Sequence, residues 1–344
     1  MGTIAQPNVD SRRLMDWFHG ATALRVLGAV ARLNLVESMG PGPVTLTELA
    51  RRVRVPADQL ARLTRALIEL GLVDDLDEPR LTELGQLLRR DHPKSIRDLV
   101  LLATDPTTVE AWGNLDAAIR TGRSGFENAY GRSYFDYLTG ERELSTTYHR
   151  AMGQLTRRIA ETVPSYYDFT GVGTVLDIGG GDGTLLTSVL RSYPQTRGVL
   201  FDREEALPTA ARAVEGAGLT ERCAVTAGDF FIGIPAGADR YLLKWILHDW
   251  DDNHAAVILH RCREALPRHG RLLIIEQLLR SHPEPVEEPN LGDLTMLAIY
   301  GGKERTLGGF EELLRRTGLE LIDVTALPDG LGVSILEVAP RPRR

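Results

Sequence analysis

Cysteine is scarce in this chain: Cys223 and Cys262 are the two in 344 residues. That excludes a disulfide framework and fits a reducing compartment. No apolar run approaches the roughly eighteen residues that read as a membrane span, and neither a repeat nor a low-complexity segment is present. Met1 to Arg13 is polar and lacks the basic start, apolar centre and small-residue cleavage site of an export signal, so a cytoplasmic protein is expected. Positive charge is not in excess either. The 40 Lys and Arg against 47 Asp and Glu leave a formal net charge of −7, which argues against a general affinity for nucleic acid or for an anionic membrane. What remains is the composition of an ordinary globular protein, 43% apolar and 25% charged, in a chain longer than one core usually fills.

Two phosphate-binding signatures are also missing. The densest glycine cluster lies in Val175-Leu-Asp-Ile-Gly-Gly-Gly-Asp-Gly-Thr184, a short apolar strand pattern that runs into a turn and then a helix. No register supplies Gly-x-Gly-x-x-Gly: counted from Gly179 the last position is Thr184, from Gly180 the third is Asp182, and from Gly181 the last is Leu186. The Gly-Lys-Ser/Thr ending of a P-loop is absent as well. Gly179, Gly180, Gly181 and Gly183 nevertheless let the backbone approach a nucleotide-like ligand closely. The form Asp-x-Gly-x-Gly-x-Gly resembles the first motif of class I methyltransferases, where the loop cradles the amino-acid part of S-adenosylmethionine. About twenty residues further on, the run Gly198-Val-Leu-Phe-Asp202 ends in a carboxylate suited to both hydroxyls of a ribose.

Two halves are legible. From Met15 to about Pro93 the apolar period is helical, with Leu24, Leu27, Val30, Leu33 and Val36 on one buried helix. Thr45 and Glu48 form a capping-box pair. A longer helix after Pro56 carries Leu60, Leu63, Leu67 and Leu70, and Leu72 to Leu81 reads as a small β-wing. Helix, turn, helix and wing predict a winged-helix unit over 1–93. Its would-be recognition helix carries Asp58, Arg62, Arg65 and Glu69, which cancel, so dimerisation through the first helices is expected rather than DNA binding. Residues 94–165 predict a helical cover rich in rings (Trp112, Phe126, Tyr130, Tyr134, Phe135, Tyr137, Tyr148), a wall for a flat acceptor, although most such rings belong to a core. The third segment, 166–344, alternates strand and helix. Strands are expected near 174–178, 198–202, 222–226, 239–245, 271–276, 319–325 and 332–338, the last pair antiparallel about Pro328-Asp-Gly330. The fold class is therefore α/β, a mostly parallel, Rossmann-like sheet whose last strand is antiparallel.

The strand from Arg240 ends in the polar cluster Lys244-Trp-Ile-Leu-His-Asp-Trp-Asp-Asp252, at the end of the sheet where ligands bind. A histidine there can take a proton from a hydroxyl near neutral pH. Asp251 and Asp252 precede a helix over 253–265 and read as caps. His248, Asp249, Asp251, Asp252 and His254 also carry metal-ligand atoms, but adjacent residues on a turn splay apart, and no metal is expected.

Four motifs in order, the glycine turn, Gly228-Asp-Phe-Phe231, Lys244 to Asp252 and Gly301-Gly-Lys-Glu-Arg-Thr306, resemble the plant caffeate-type O-methyltransferases and their bacterial relatives that tailor secondary metabolites. The resemblance spans essentially the whole chain. It implies S-adenosylmethionine as cofactor and no metal; the homodimer is expected separately, from the apolar first helices. By position it implies Gly179 and Gly181 at the methionine moiety, Asp202 at the ribose, Asp229 and Phe230 about the adenine, and Lys244 in support. It implies His248 as base with the carboxylates Glu276 and Glu304 beside it, and Met152, Met296 and Tyr300 against an aromatic or polyketide-like acceptor. Glu276 has a second reading, as an ion-pair partner of Arg271 or Lys303, and Trp250 either covers the adenine or only packs. Three alternatives stay open: a relative that keeps the cofactor but catalyses hydroxylation, decarboxylation or a pericyclic step; methylation at nitrogen or carbon; and a winged-helix regulator that senses a small molecule.

Overall fold

The computed structural model describes residues 11–280, 291–328 and 332–342. Asp329 and Gly330 of the expected turn, Arg343 and Arg344 at the basic end, and Met1 to Asp10 lie outside the described residues. The chain divides into two compact units, Met1–Asp105 and Pro106–Arg344.

The first unit is helical. Helix α1 spans Arg12–Arg32 and α2 spans Leu35–Met39; Asn34 separates them in the left-handed region, with φ 49°. The apolar period from Leu24 to Val36 thus crosses a break, where a single helix is expected from the pattern. Of the five expected, Val30 and Val36 are buried and Leu24, Leu27 and Leu33 half-buried, but the start of α1 is exposed: Leu14, Trp17 and Phe18 are 60%, 54% and 65% exposed. Periodicity alone reports which residues share a face, not whether anything covers it. Helix α3, Leu46–Val53, starts where Thr45 accepts a hydrogen bond from Glu48 N, at 3.3 Å. The reciprocal half of the box is missing, because Glu48 turns to Arg51 and Arg52. Helix α4, Ala57–Glu69, ends just before Gly71, whose φ is +70°. The expected wing is a single antiparallel bridge, Val73 to Leu81.

The second unit holds the sheet. Its strands are β1 (Thr174–Ile178), β2 (Arg197–Asp202), β3 (Cys223–Ala227), β4 (Arg240–Lys244), β5 (Arg271–Leu279), β6 (Arg305–Thr306), β7 (Leu319–Ala326) and β8 (Val333–Pro340). Their order is β3-β2-β1-β4-β5-β8-β7, with the two-residue β6 paired to the end of β5. Strands β1 to β5 pair in parallel, and β8 runs antiparallel to both its neighbours. Each face of the sheet has its own core. Leu273 and Ile275 join Val175, Leu186, Leu200 and Leu242 on one side; Leu272 and Ile274 join Leu176, Ile178, Tyr241 and Leu243 on the other. A strand buried on both faces reads as a continuous apolar run, which is why β4 and β5 lack alternation in the sequence. The order reverses between β1 and β4, and a crevice opens at the carboxyl ends of strands on either side of such a point. No helix of the described residues is long and apolar enough to cross a membrane.

Candidate functional site

The turn after β1 forms one wall of the crevice. Gly179, Gly181 and Gly183 all have positive φ, at +66°, +58° and +78°, a conformation a side chain rarely tolerates. A Cβ at Gly180 would fall 2.9 Å from Leu200 and 3.0 Å from Asp177 Oδ2, whereas at Gly181 it would meet nothing within 4 Å. Gly181 is therefore the position of this loop with open space beside it. Its amide donates to Asp202 Oδ2 at 2.8 Å, and Arg203 N donates to the other oxygen at 2.7 Å. Each carboxylate oxygen keeps a lone pair for a ligand. Burial raises Asp202, opposed by His149 and by these two amides.

The wall is acidic. Burial pushes Asp177 up to about 7 against the pull of Lys244, and its Oδ2 is buried without a hydrogen-bond partner. Lys244 itself is lowered by burial and held up by Asp177, Asp182 and Glu276; its ammonium donates to Thr156 at 2.8 Å. Thr156 lies on the helix Arg142–Tyr166, which covers the loop so closely that a Cβ at Gly153 would overlap the Asp182 carboxylate. Asp229 and Phe230 stand after β3, where Asp229 Oδ1 accepts from Phe231 N at 2.8 Å.

The turn after β4 forms the second wall. Trp245 takes φ +53°, unusual for a tryptophan, and re-aims the chain into the short 3-10 turn Leu247–Asp249. The amides of Ile246, Leu247 and His248 then converge on Glu276 Oε1, at 3.1, 2.9 and 3.4 Å. Glu276 is fully buried within β5, and its Oε2 stands 3.5 Å from His248 Nδ1. The hydrogen bond on that nitrogen is to Glu304 Oε1, at 2.8 Å. The alternative pairings of Glu276 do not form: Arg271 pairs with Glu337 and Lys303 with Asp252. On the opposite ring edge, Nε2 lies 3.6 Å from Asp249 Oδ1, too long for a hydrogen bond. Burial alone depresses an imidazolium, but Glu276, Asp249 and Glu304 outweigh it and lift His248 to about 9. Burial raises Asp249 to about 7 and also raises Glu276.

Rings surround the Asp249 side. Phe135 stacks between Trp250 and Tyr300, with centroids at 5.6 and 5.5 Å, and Tyr148 and Tyr300 share a hydrogen bond. Phe126 and Tyr134 are fully buried and pack on other rings, the core role weighed for them in sequence. Met296 is buried just before Tyr300, and Met152 lies one turn before Thr156 on the covering helix.

The structure thus brings together His248, Glu276 and Glu304, and separately Gly179, Gly181, Asp202 and Lys244. It disperses the five-residue set with metal-ligand atoms. Asp251 caps the helix Asp252–Ala265 through the amides of Asn253 and His254, His254 pairs with Asp251, and Asp252 is not a cap but pairs with Lys303 and Arg305. Among the described residues one group does have the spacing to hold a metal, His248 with Glu276 and Glu304, their ligand atoms within 4.8 Å. Sequence reasoning missed the third acid beside His248, Asp249, and the supporting Thr156. An acid directly following the histidine was the available signal for the first; nothing local marks the second.

A family described as the O-methyltransferase domain matches residues 112–320. O-demethylpuromycin-O-methyltransferase of Streptomyces alboniger is 37% identical over 334 residues, covering 95% of this chain and 89% of its own length. The crystal structure of LaPhzM superposes with a TM-score of 0.89 at 36% identity, over 96% of this chain and 99% of that one. The O-methyltransferase NcsB1 from neocarzinostatin biosynthesis, solved with S-adenosylmethionine and 2-hydroxy-5-methyl naphthoic acid, gives 0.76 at 32%, over 92% and 96%.

Proposed function

The chain belongs to the O-methyltransferase-domain family and is an S-adenosylmethionine-dependent O-methyltransferase, and from that premise we propose that it methylates an aromatic or polyketide-like hydroxyl with His248 as general base. The 2.8 Å bond between His248 Nδ1 and Glu304 is the observation that carries this reading. It leaves Nε2 as the proton-accepting nitrogen on the side lined by Phe135, Tyr148 and Tyr300.

The residues at the first wall fit the cofactor. Asp177, Asp182 and Asp202 suit a ligand bearing an ammonium and a sulfonium, and the open side of Gly181 leaves room for its close approach. Gly179, Gly181, Asp202, Asp229, Phe230 and Lys244 would hold it. Bound there, it supplies a methyl group made electrophilic by positively charged sulfur.

His248 orients the acceptor hydroxyl and accepts its proton at Nε2 as the oxygen attacks. Glu304 fixes the tautomer and, with Glu276, stabilises the imidazolium that forms. A positioned base contributes about 10² to 10⁴ in rate, and alignment of the reacting atoms about 7 to 11 kcal/mol of the barrier. Met152, on the ring-rich cover over 94–165, presses on the acceptor together with Met296 and Tyr300. We take the His248, Glu276 and Glu304 cluster as an acid–base site and not a metal site, so turnover unchanged by a chelator is the expected result.

The test is transfer of a deuterated methyl group from labelled cofactor to phenolic and polyketide acceptors, read by mass spectrometry. Label on oxygen supports the reading. Product without label, or label on nitrogen or carbon, contradicts it.

The exposed Leu14, Trp17 and Phe18 on α1 support a homodimer through the first helices of a winged-helix region over 1–93. A monomer by light scattering at micromolar concentration would count against that. Absence of binding to random DNA at low salt, and a cytoplasmic location, complete the reading.

A further inference from the structure

The turn that bears His248 is gripped from both ends by buried charged side chains. A short helix leaves its first amides and last carbonyls without internal partners. At the start, Glu276 Oε1 takes the amides of residues 246 to 248. At the end the partner is Arg305, 4% exposed, whose guanidinium donates to Leu247 O at 2.7 Å, Trp250 O at 2.8 Å and the Asp252 carboxylate at 3.0 Å. A further carbonyl of the turn, His248 O, accepts from Lys303 N at 2.9 Å, and Gly302 lies so close that a Cβ there would overlap it. Successive residues of an extended segment point to opposite sides. Glu304 thus bonds the imidazole while its neighbour Arg305 holds the backbone of the same turn.

We propose that Arg305 is a positioning residue for methyl transfer: it locks the turn Leu247–Trp250 to the segment that carries Glu304 and so sets the register between the His248 ring and its carboxylate. This rests on His248 being the base. Three separate acceptors are satisfied by three nitrogens of one rigid fork, a reach an ammonium lacks because its donors radiate from a single atom with no fixed plane. Lysine at 305 would keep the charge near Asp252 and lose the simultaneous grip on two carbonyls.

The test is titration of the His248 imidazole by NMR in the full-length protein without ligands, set beside kcat, the acceptor KM and the cofactor Kd. Wild-type His248 is expected to titrate near 9. In Arg305→Lys the midpoint falls by about one unit or more toward the ordinary histidine value as the Glu304 contact loosens. There kcat drops about 10- to 100-fold, the cost of a small misplacement, with KM and Kd within about twofold. Gly302→Ala, which pushes on the same turn from outside, shifts the midpoint in the same direction. Asp252→Asn, which spares the carbonyl bonds, leaves it in place. An unmoved midpoint in both Arg305→Lys and Gly302→Ala would reduce Arg305 to a stabilising residue, even if melting temperature fell. The titration needs no turnover: a shifted midpoint in a protein that transfers no methyl group would uphold the clamp and sink the assigned reaction instead.

Discussion

The two walls of the crevice are built on opposite plans. The glycine loop after β1 is a backbone device: alternate glycines with positive φ, the Gly181 amide turned to Asp202, and open space beside Gly181. The histidine turn after β4 is a side-chain device, assembled from residues 28 and 56 positions away and tied through buried charges. The first wall can lose a charge and keep its shape; the second depends on each partner. Binding and chemistry should therefore separate under mutation, the loop governing cofactor affinity and the turn governing rate.

The largest expected effect is on the turn. His248→Asn should lower kcat by about 10² to 10⁴ while the cofactor Kd, measured by calorimetry, stays within about twofold; a parallel loss of both would merge the two walls into one. The next is on the loop. Gly179→Ala forces a side chain into positive φ, a cost of about 1 to 2 kcal/mol, so the cofactor Kd should weaken about 5- to 30-fold with kcat at saturation little changed. The smallest sharpens the second wall from within. Glu276→Gln keeps an acceptor for the three amides but removes one of the charges that lift His248. The pH at which kcat/KM reaches half its plateau should drop by less than about one unit, with melting temperature nearly unchanged. Glu276→Ala would instead orphan three amides, at about 1 to 3 kcal/mol each.

The same division explains what the sequence disclosed. Glycine spacing and apolar runs are local signals, so the loop, Asp202 and the seven long strands were legible within a few residues. Strand β6 was not, because two residues carry no period, yet it brings Glu304 to the ring. Glu276 and Glu304 entered through a motif resemblance. That Glu304 takes the short bond while Glu276 chiefly binds amides is a matter of register between distant segments, which no pattern along the chain encodes. Arg305 escaped for a related reason: its partners are carbonyls, which every residue has. The break at Asn34 shows the converse failure, in which an apolar period runs unaltered across a change of backbone conformation.

The central claim is that the neutral imidazole of His248 takes the acceptor's proton. Below its folded value of about 9 the ring is already protonated and cannot accept another. The most direct measurement is kcat/KM for the acceptor at saturating cofactor from pH 6 to 10.5, for wild type and His248→Asn. The account predicts a wild-type rate that climbs with pH through a midpoint near 9 and levels above it, exceeding a variant that is lower by about 10² or more at the plateau and lacks this ionisation. A variant that retains the wild-type rate, or shows the same climb and plateau, would contradict it.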